Sequence, residues 1–232
     1  MTKVLAWNIQ SGGGSRLSAI ADAIGDINPE IAVLSEFRNG GVGEKLLAKL
    51  ERQGFHYQAR TSAAPNDNSV LIASKIPFTA SRTFPQLKEH SHRLLEVDFP
   101  QFSILGYYFP QKEAKRPVFE HLMQLSKMRI NTAALWIGDL NTGKHRVDET
   151  GASFYCAEYL GLLEQAGHID AWREINGDKR EYTWFSNGGN GFRIDHAFVT
   201  PSLSNKLINV RYLHDLRVNR VSDHSGLFVE IK

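Results

Sequence analysis

Eight short apolar runs, each bounded by turn residues, constrain the fold of this chain more than any other feature. They are Val4–Ile9, Ile31–Leu34, Val70–Ala73, Leu94–Phe99, Ser103–Phe109, Ala134–Ile137, Ile194–Val199 and Leu227–Ile231. Apolar runs of about four to eight residues between turn signals predict β-strands. The run Ala134–Ile137 is apolar at every position, which is typical of a strand buried on both faces. The sequence therefore predicts β-sheets that are covered by other layers.

Four amphipathic segments lie between these runs and predict helices. They are Leu17–Ile24, Leu46–Leu50, Phe119–Met128 and Tyr159–Leu163. Their apolar residues recur three and four positions apart, which places one apolar stripe against a core. Because these helices do not alternate strictly with the strands, the order favours an α+β fold of packed layers over a doubly wound parallel sheet. The length, without repeats or long linkers, predicts a single domain over residues 1–232.

The amino-acid composition restricts which partners and which kinds of metal site are expected for this chain. The chain has 27 basic and 25 acidic residues, a net charge of +2, so no global field indicates a nucleic acid or a membrane as partner. Cys156 is the only cysteine, which excludes an internal disulfide and a zinc site of paired thiolates. Any metal site must use oxygen or imidazole ligands. The N-terminus lacks the apolar stretch of a signal peptide and no apolar run could span a bilayer, so we expect an intracellular, cytoplasmic protein without a membrane partner.

Polar residues able to bind a metal or a phosphate follow several predicted strands. They are Asn8, Glu36, Asp139, Asn141, Asp223 and His224. Each alone could be an ordinary turn former, but loops at strand ends are where a scaffold brings distant side chains together. Gly138 would permit a close backbone approach before Asp139. If the segment is extended, Asp139 and Asn141 point to the same side, where a carboxylate and an amide could orient a water and bind a phosphate oxygen.

Seven sequence blocks occur in the order found in one known family. They are Ala6–Gln10, Leu34–Glu36, Gly106–Gln111, Gly138–Asn141, Tyr182–Phe185, Gly191–His196 and Ser222–His224. In these blocks the chain resembles the endonuclease/exonuclease/phosphatase superfamily from about Val4 to Ile231. Within it, the chain is most similar to the exonuclease III and apurinic/apyrimidinic endonuclease branch, since Tyr108 stands in a proline turn where other branches usually carry a histidine.

The resemblance implies a four-layer α/β/β/α sandwich of two mostly antiparallel sheets flanked by helices. It also implies a phosphodiesterase dependent on Mg²⁺, with Mn²⁺ as an alternative, and most similar to DNA nucleases, so that the expected partner is DNA. Two other classes stay open. One is a phosphomonoesterase or a lipid or inositol phosphodiesterase of the same superfamily, and the other is a noncatalytic nucleic-acid-binding module.

The resemblance also implies roles for individual residues. Asp139 would activate or orient the attacking water, and Asn141 and Tyr108 would bind phosphate oxygens or the leaving group. His224 would stabilise the transition state while Asp195 fixes its tautomer. Glu36 and Asp223 would hold the metal, and the shell would be completed by waters and by Asn8 or Gln10, which suits a hard cation such as Mg²⁺.

Basic and aromatic residues near these blocks are candidates for substrate binding. They are Arg38, Arg93, Lys115, Arg116, Lys144, Arg146 and Trp184. Two clusters, Lys112–Arg116 and Lys144–Arg146, predict a track for phosphates along the rim of the site. Gln10 stands where the repair nucleases of this branch commonly have an Asp or Asn, and the loop after Phe185 is short. These differences leave abasic-site preference and the choice between exonuclease and endonuclease open.

Overall fold

The computed structural model describes residues 1–232, and its strands form two six-stranded sheets and one hairpin. In chain order the strands are β1 (Thr2–Asn8), β2 (Ile31–Phe37), β3 (Tyr57–Arg60), β4 (Ser69–Ser74), β5 (Ala80–Arg82), β6 (Leu94–Asp98), β7 (Ser103–Tyr108), β8 (Ala134–Asp139), β9 (Ile169–Asp170), β10 (Trp184–Phe185), β11 (Gly191–Phe192), β12 (Asp195–Val199), β13 (Leu207–Leu213) and β14 (Gly226–Ile231). The first sheet has the order β13-β14-β1-β2-β4-β3 and the second β5-β6-β7-β8-β12-β9. Only the β1–β2 and β7–β8 pairs are parallel.

Helices of this fold cover the outer faces of the sheets, except for two that contribute to the core between the sheets. The helices are α1 (Leu17–Ile27), α2 (Gly41–Arg52), α3 (Arg116–Arg129), α4 (Glu158–Gln165), α5 (Ala171–Asn176), α6 (Pro201–Ser204) and α7 (Asp215–Val218), with 3₁₀ segments at Gly14–Arg16, Pro85–Arg93 and Lys112–Lys115. Helices α1 and α2 share a core with the first sheet, and α3 and α4 share one with the second. A third core lies between the two sheets, and α5 and α6 contribute Ala171, Trp172 and Leu203 to it. The α+β, four-layer α/β/β/α sandwich expected from the sequence is confirmed.

The continuous apolar runs are explained by burial on both faces of the central strands. In β1, Val4 and Ala6 pack into the core between the sheets, whereas Leu5 and Trp7 pack under the helices of the first sheet. The same alternation occurs in β8, where Ile137 faces the other sheet and Trp136 faces the helices. Since successive side chains of a strand point to opposite faces, a strand between two apolar layers must be apolar throughout.

All eight predicted strands and all four predicted helices are present, with boundaries shifted by a few residues. The elements that the sequence did not predict are short or lie at sheet edges, and they include β3, β5, β9 and β13. In β13 only Val210 and Tyr212 are buried, so its pattern is too polar to mark it as a strand. None of the helices combines the length and the apolar character needed to cross a bilayer.

Candidate active site

Strand register brings the predicted catalytic residues to one edge of the sandwich. Tyr108 and Asp195 are the direct neighbours of Asp139, because Tyr108 pairs with it across β7–β8 and Asp195 pairs with it across β12–β8. In the other sheet, the parallel strands β1 and β2 end beside each other at Asn8 and Glu36. The facing ends of the two sheets therefore form one site.

Glycine at position 138 is required for this arrangement. Gly138 has φ +147, and a Cβ atom there would lie 2.1 Å from the carbonyl oxygen of Tyr107. Glu36 and Asn141 adopt left-handed backbone conformations with φ 57 and 51, although neither is a glycine. Such conformations are unfavourable for residues with a Cβ and tend to concentrate at functional sites.

Asp139 is fully buried and held at both carboxylate oxygens. Its Oδ2 accepts a hydrogen bond from Asn8 Nδ2 at 2.9 Å, and its Oδ1 accepts one from the Asn141 backbone N–H at 2.7 Å. The Asn8 amide also donates to Glu36 Oε1 at 3.1 Å, so one amide links both carboxylates. Burial raises the pKa of Asp139 to about 7, with a further rise from the nearby Asp195 charge. Such a carboxyl group can accept or donate a proton near neutral pH.

His224 and Asp195 form a buried pair beside Asp139. His224 Nδ1 donates to Asp195 Oδ2 at 2.9 Å, and ligand atoms of Asp139, Asp195 and His224 lie within 4.8 Å of one another. Burial disfavours the imidazolium, but the charge and hydrogen bond of Asp195 outweigh it and raise the pKa of His224 to about 10. The imidazole is therefore a cation at neutral pH, with Nε2 left to meet a ligand.

Glu36 and Asp223 are the acidic residues that face the main cavity, which has a volume of about 380 Å³. Glu36 Oε2 accepts a hydrogen bond from the Ser11 backbone N–H at 2.6 Å, and Asp223 Oδ2 accepts one from Trp184 Nε1 at 3.1 Å. Each carboxylate is thus oriented but keeps accepting capacity toward the cavity. Two oxygen donors of this kind fit a hard divalent cation.

The cavity has a polar floor and an aromatic wall. Its floor includes Glu36, Lys115, Asn141, Asp223 and His224, and its wall includes Phe154, Tyr155, Trp184 and Phe192. Nothing in the sequence marked the segment Ser153–Tyr155 as part of a site. The buried carboxylate of Glu149 positions this segment by accepting hydrogen bonds from the backbone N–H groups of Ser153 and Phe154.

Asn141 lines the cavity but lies beyond the end of strand β8. The expectation that an extended backbone places Asp139 and Asn141 on the same side is therefore wrong. Strand β8 ends at Asp139. The amide of Asn141 donates to the Phe109 carbonyl at 2.7 Å and accepts from Gln111 Nε2. Asn141 therefore reaches the site through a turn that these hydrogen bonds stabilise.

Tyr108 is nearly buried and is oriented by two neighbours. Its phenol oxygen accepts a hydrogen bond from Asn68 Nδ2 at 3.4 Å, which leaves its proton free to donate. The guanidinium of Arg93 lies 4.8 Å from the ring centroid. Burial, with Glu36 and Asp139 nearby, raises the pKa of Tyr108, so the phenol stays protonated at neutral pH. Arg38 donates to Asn68 Oδ1 at 2.8 Å and so fixes the orientation of that amide.

The two expected basic clusters do not form a continuous surface of unpaired positive charge. Arg116 pairs with Glu113 and Glu158, and Lys144 pairs with Glu164. These contacts correct the prediction that Arg116 and Lys144 are free to bind phosphates. Another candidate of these clusters, Arg146, is exposed, and its side chain makes no ion pair.

Lys115 departs furthest from the sequence-based expectation, because it is buried at 1% exposure instead of lying on a rim. Its ammonium donates to the Asn141 carbonyl and makes no ion pair with any carboxylate. Burial lowers the pKa of Lys115 to about 8. Lys115 nevertheless lines the main cavity, so its charge faces whatever occupies that cavity.

Gln10 and Trp184 are placed on opposite sides of Asp223. Gln10 lines a neighbouring cavity, which it shares with Asp223, and not the main cavity that Glu36 lines. Its backbone N–H donates to Asn8 Oδ1 at 2.9 Å. Trp184 is half-buried and lines the main cavity, as predicted for a substrate-contacting aromatic.

A buried ion network supports the site and was missed from the sequence. The guanidinium of Arg193 donates to Asp148 Oδ1 at 2.7 Å and to Asp170 Oδ2 at 2.6 Å, and all three side chains are buried. Arg193 lies two residues before Asp195 and anchors that strand to the loop after Asn141. Its only signal in the sequence was an arginine between the apolar residues Phe192 and Ile194.

The chain is similar to proteins of known description over nearly its whole length. A sequence profile of the Endonuclease/Exonuclease/phosphatase family matches residues 5–224. A protein described as Exodeoxyribonuclease III from Haemophilus influenzae is 25% identical over 201 residues, which cover 70% of this chain and 75% of that protein.

Three solved structures share the fold at low sequence identity. A structure of the 3′ phosphatase NExo from Neisseria bound to a product DNA hairpin has a TM-score of 0.88, 21% identity and full coverage of both chains. The 3′-5′ exonuclease NExo from Neisseria meningitidis has a TM-score of 0.87 at 21% identity and covers 99% of both chains. An AP endonuclease from Archaeoglobus fulgidus has a TM-score of 0.82 at 19% identity, again with full coverage.

Proposed function

This chain belongs to the endonuclease/exonuclease/phosphatase family, and on that premise we propose that it is a Mg²⁺-dependent nuclease that hydrolyses phosphodiester bonds in DNA. The resemblance to the exonuclease III and AP endonuclease branch is confirmed by the relatives that match. We propose further that residues 1–232 act as one catalytic domain.

The observation that supports this function best is the pairing of a carboxyl group and an imidazole, both with raised pKa, in one buried cluster. Asp139 has its pKa raised to about 7, whereas His224 has its pKa raised to about 10. A carboxylate that can take a proton thus lies beside an imidazolium that can neutralise charge. Hydrolysis of a phosphodiester needs both, because water must lose a proton while negative charge grows on the phosphate oxygens and the leaving oxygen.

The residues present fit a divalent metal ion. Glu36 and Asp223 are the proposed ligands, and the linking amide of Asn8 orients Glu36. When bound, a hard cation of this kind would supply Lewis-acid polarisation of the phosphate. The alternative cluster of Asp139, Asp195 and His224 fits less well, because His224 already uses Nδ1 to bind Asp195.

The other side chains then have definite tasks. Asp139 orients and deprotonates the attacking water, and Asn8 holds Asp139 in place by its hydrogen bond to Oδ2. His224 donates to a phosphate oxygen through Nε2, while Asp195 fixes the proton on Nδ1. The phenol of Tyr108 donates a hydrogen bond to a phosphate oxygen, and Asn141 forms part of the floor of the cavity.

Substrate contacts are proposed for the residues that face the cavity or its rim. Lys115 faces the phosphate with a buried charge that no carboxylate neutralises, and Trp184 offers a stacking surface. Arg93 stacks on Tyr108 and Arg38 orients Asn68, so both act close to the reacting groups.

Removal of a terminal phosphate from DNA is the second candidate activity. The buried ammonium of Lys115 adds a positive charge to a cavity that already contains the His224 cation. Extra positive charge favours a phosphomonoester, which carries more negative charge than a diester. The same catalytic residues would serve both reactions.

The test is to assay the purified chain on labelled abasic, nicked and single-stranded DNA, on DNA with a terminal 3′-phosphate, on RNA, and on a phospholipid. We expect DNA hydrolysis with Mg²⁺ and none in excess chelator. Asp139→Asn should lower turnover by ~10²–10⁴-fold. Asp22→Asn, on the exposed face of α1, is the matched control and should retain full activity. Hydrolysis of the phospholipid with no action on any nucleic acid would refute the proposal.

Glu36→Gln tests the metal assignment separately. Because the change removes a charge from a proposed ligand, more Mg²⁺ should be needed for half-maximal activity. An unchanged Mg²⁺ requirement in this variant would remove Glu36 from the metal site while leaving the nuclease assignment intact.

A further inference from the structure

A second cavity adjoins the main one and shares Asp223 with it. It has a volume of about 280 Å³ and is lined by Gln10, Phe185, Arg217, Arg220, Ser222 and Asp223. Asp223 therefore separates two neighbouring spaces, and one of them holds none of the proposed catalytic residues except Asp223 itself.

The second cavity presents an arginine stacked on an aromatic ring, which we call the Arg217 shelf and define as Phe185, Arg217 and Arg220. The Arg217 guanidinium lies 4.3 Å from the centroid of the Phe185 ring. Its hydrogen bond is to Ser225 Oγ at 3.3 Å, and it makes no ion pair. Arg220 makes no side-chain hydrogen bond and no ion pair. Both positive charges are thus free to meet an anion.

Hydrogen bonds connect the residues beneath the Arg217 shelf to the active site. Arg16 donates to the carbonyls of Gln10, at 2.7 Å, and of Val221. Ser222 Oγ donates to the Asn8 carbonyl at 2.6 Å. These bonds join the turn after β1 to the segment before Asp223, so the distance between the shelf and the catalytic residues is fixed.

The β10–β11 hairpin places one aromatic residue on each side of Asp223. Trp184 lines the main cavity and bonds Asp223 through its indole N–H, whereas Phe185 lines the second cavity and is 38% exposed. Adjacent residues of a strand point to opposite sides, which explains the arrangement. The hairpin can therefore contact two successive units of a chain that passes Asp223.

Neutralisation of two charges on the expected phosphate track favours the Arg217 shelf as a path for a polyanion. Arg116 and Lys144, which sequence alone placed on a phosphate track, are paired with glutamates. The Arg217 shelf keeps two unpaired arginines next to a proposed metal ligand. Guanidinium groups stacked on aromatic rings bind nucleotides by combining contact to the phosphate with stacking on the base.

We propose that the Arg217 shelf is a nucleotide subsite that binds the unit next to the one whose phosphate occupies the main cavity. The base stacks on the Arg217–Phe185 pair, and the phosphate meets Arg217 and Arg220. This inference rests on the proposed nuclease function, because it assigns the path of the same DNA substrate. It predicts that a single strand binds with more affinity than the main cavity alone can provide.

The test compares two substrates in the full chain with Mg²⁺. A short labelled oligonucleotide reaches the shelf, whereas bis(p-nitrophenyl) phosphate fills only the main cavity. Three variants are made: Arg217→Ala, Arg217→Lys and Phe185→Leu. Arg211→Ala is the matched control, because Arg211 stacks on Phe228 at 4.8 Å in the same manner but lines neither cavity.

We expect Arg217→Ala and Phe185→Leu each to lower kcat/KM on the oligonucleotide roughly tenfold and to leave the small ester unchanged. Oligonucleotide binding, measured by anisotropy in chelator, should separate charge from stacking. Arg217→Ala should reduce the slope of log affinity against log salt by about 0.7, whereas Arg217→Lys and Phe185→Leu should keep the slope while losing affinity.

Three results would overturn the nucleotide subsite proposed at the Arg217 shelf. One is wild-type kcat/KM on the oligonucleotide in both Arg217→Ala and Phe185→Leu, and another is an equal loss in Arg211→Ala. Loss of the small-ester activity in the shelf variants would also contradict it, since the shelf would then belong to the catalytic centre. Failure of the wild-type chain to hydrolyse either substrate would instead refute the nuclease proposal.

Discussion

Replacing Asp195 with asparagine should discharge His224 at alkaline pH. In the structure, burial disfavours the imidazolium, yet Asp195 Oδ2 at 2.9 Å outweighs this effect and the pKa of His224 rises to about 10. The change Asp195→Asn keeps the side-chain shape and removes the charge. Burial then dominates, so the pKa should fall.

The expected size of the fall follows from the contributions. The rise from 6.5 to about 10 favours the imidazolium by ~5 kcal/mol at ~1.4 kcal/mol for each unit. Asp195 contributes more to it than Asp139 or Asp223. We expect loss of the Asp195 charge to lower the pKa of His224 by ~2 units, so that at pH ~9 the charged fraction drops from about nine tenths to about one tenth.

The same shift predicts a change in stability with pH. Because the folded pKa of His224 lies above its unfolded value, the stabilisation is complete below pH ~6.5 and is lost as the pH rises toward ~10. The wild-type free energy of unfolding should therefore decline over that range. In Asp195→Asn the decline from this group should be smaller, since less stabilisation is present to lose.

The assay is an NMR titration of the histidine ring protons in chelator, with urea unfolding at several pH values alongside. His168 is the internal reference, because burial lowers its pKa to about 4 and it contacts Ser126 instead of Asp195. Its signal should be the same in both proteins. A His224 pKa within half a unit of the wild-type value in Asp195→Asn would refute the reasoning.

Two further predictions separate residues that the sequence grouped together or missed. Lys115→Met should lower kcat/KM on DNA by about 10²-fold, because it removes a buried charge that faces the cavity. Arg116→Ala should change kcat/KM less than about twofold, because the charge of Arg116 is already paired. Equal losses in the two variants would contradict this prediction. Arg193→Met should lower the free energy of unfolding in urea by ~3–5 kcal/mol, because it leaves buried carboxylates without a positively charged partner. A loss below ~1 kcal/mol would argue against the network. Although burial opposes ionisation of Asp148, Arg193 holds its pKa well below the usual range, so the wild-type stabilisation should persist above pH ~4 and be lost as the pH falls below that value.

The central strands could be predicted because the apolar residues of each strand themselves indicate that it is buried. Strand β8 is apolar throughout, since one face packs on the other sheet and one on helices. Edge strands such as β13 have one exposed face and few buried residues, so local composition does not mark them. Their identity depends on which strand lies beside them.

The residues proposed for the site could be selected from the sequence for a related reason. Asn8, Glu36 and Asp139 follow or end strands that the sequence marks clearly, and strand ends on a rigid sheet are where side chains converge. The sequence could not place Gln10, because a left-handed turn at φ 53 directs it away from the main cavity. A single backbone angle decided which cavity that side chain lines.

By itself, the sequence determined the layered fold, the family and the strand-end residues, because each is encoded over a few neighbouring positions. Only the tertiary structure decided which charges are free. Lys144 is neutralised by Glu164 and Arg116 by Glu158, while Lys115 is buried and Arg217 meets no acid. Glu158 and Glu164 lie far from these residues in the chain, although Glu113, the other partner of Arg116, is only three residues away. Electrostatic interaction depends on distance in space and on exposure to water, which local sequence alone does not contain.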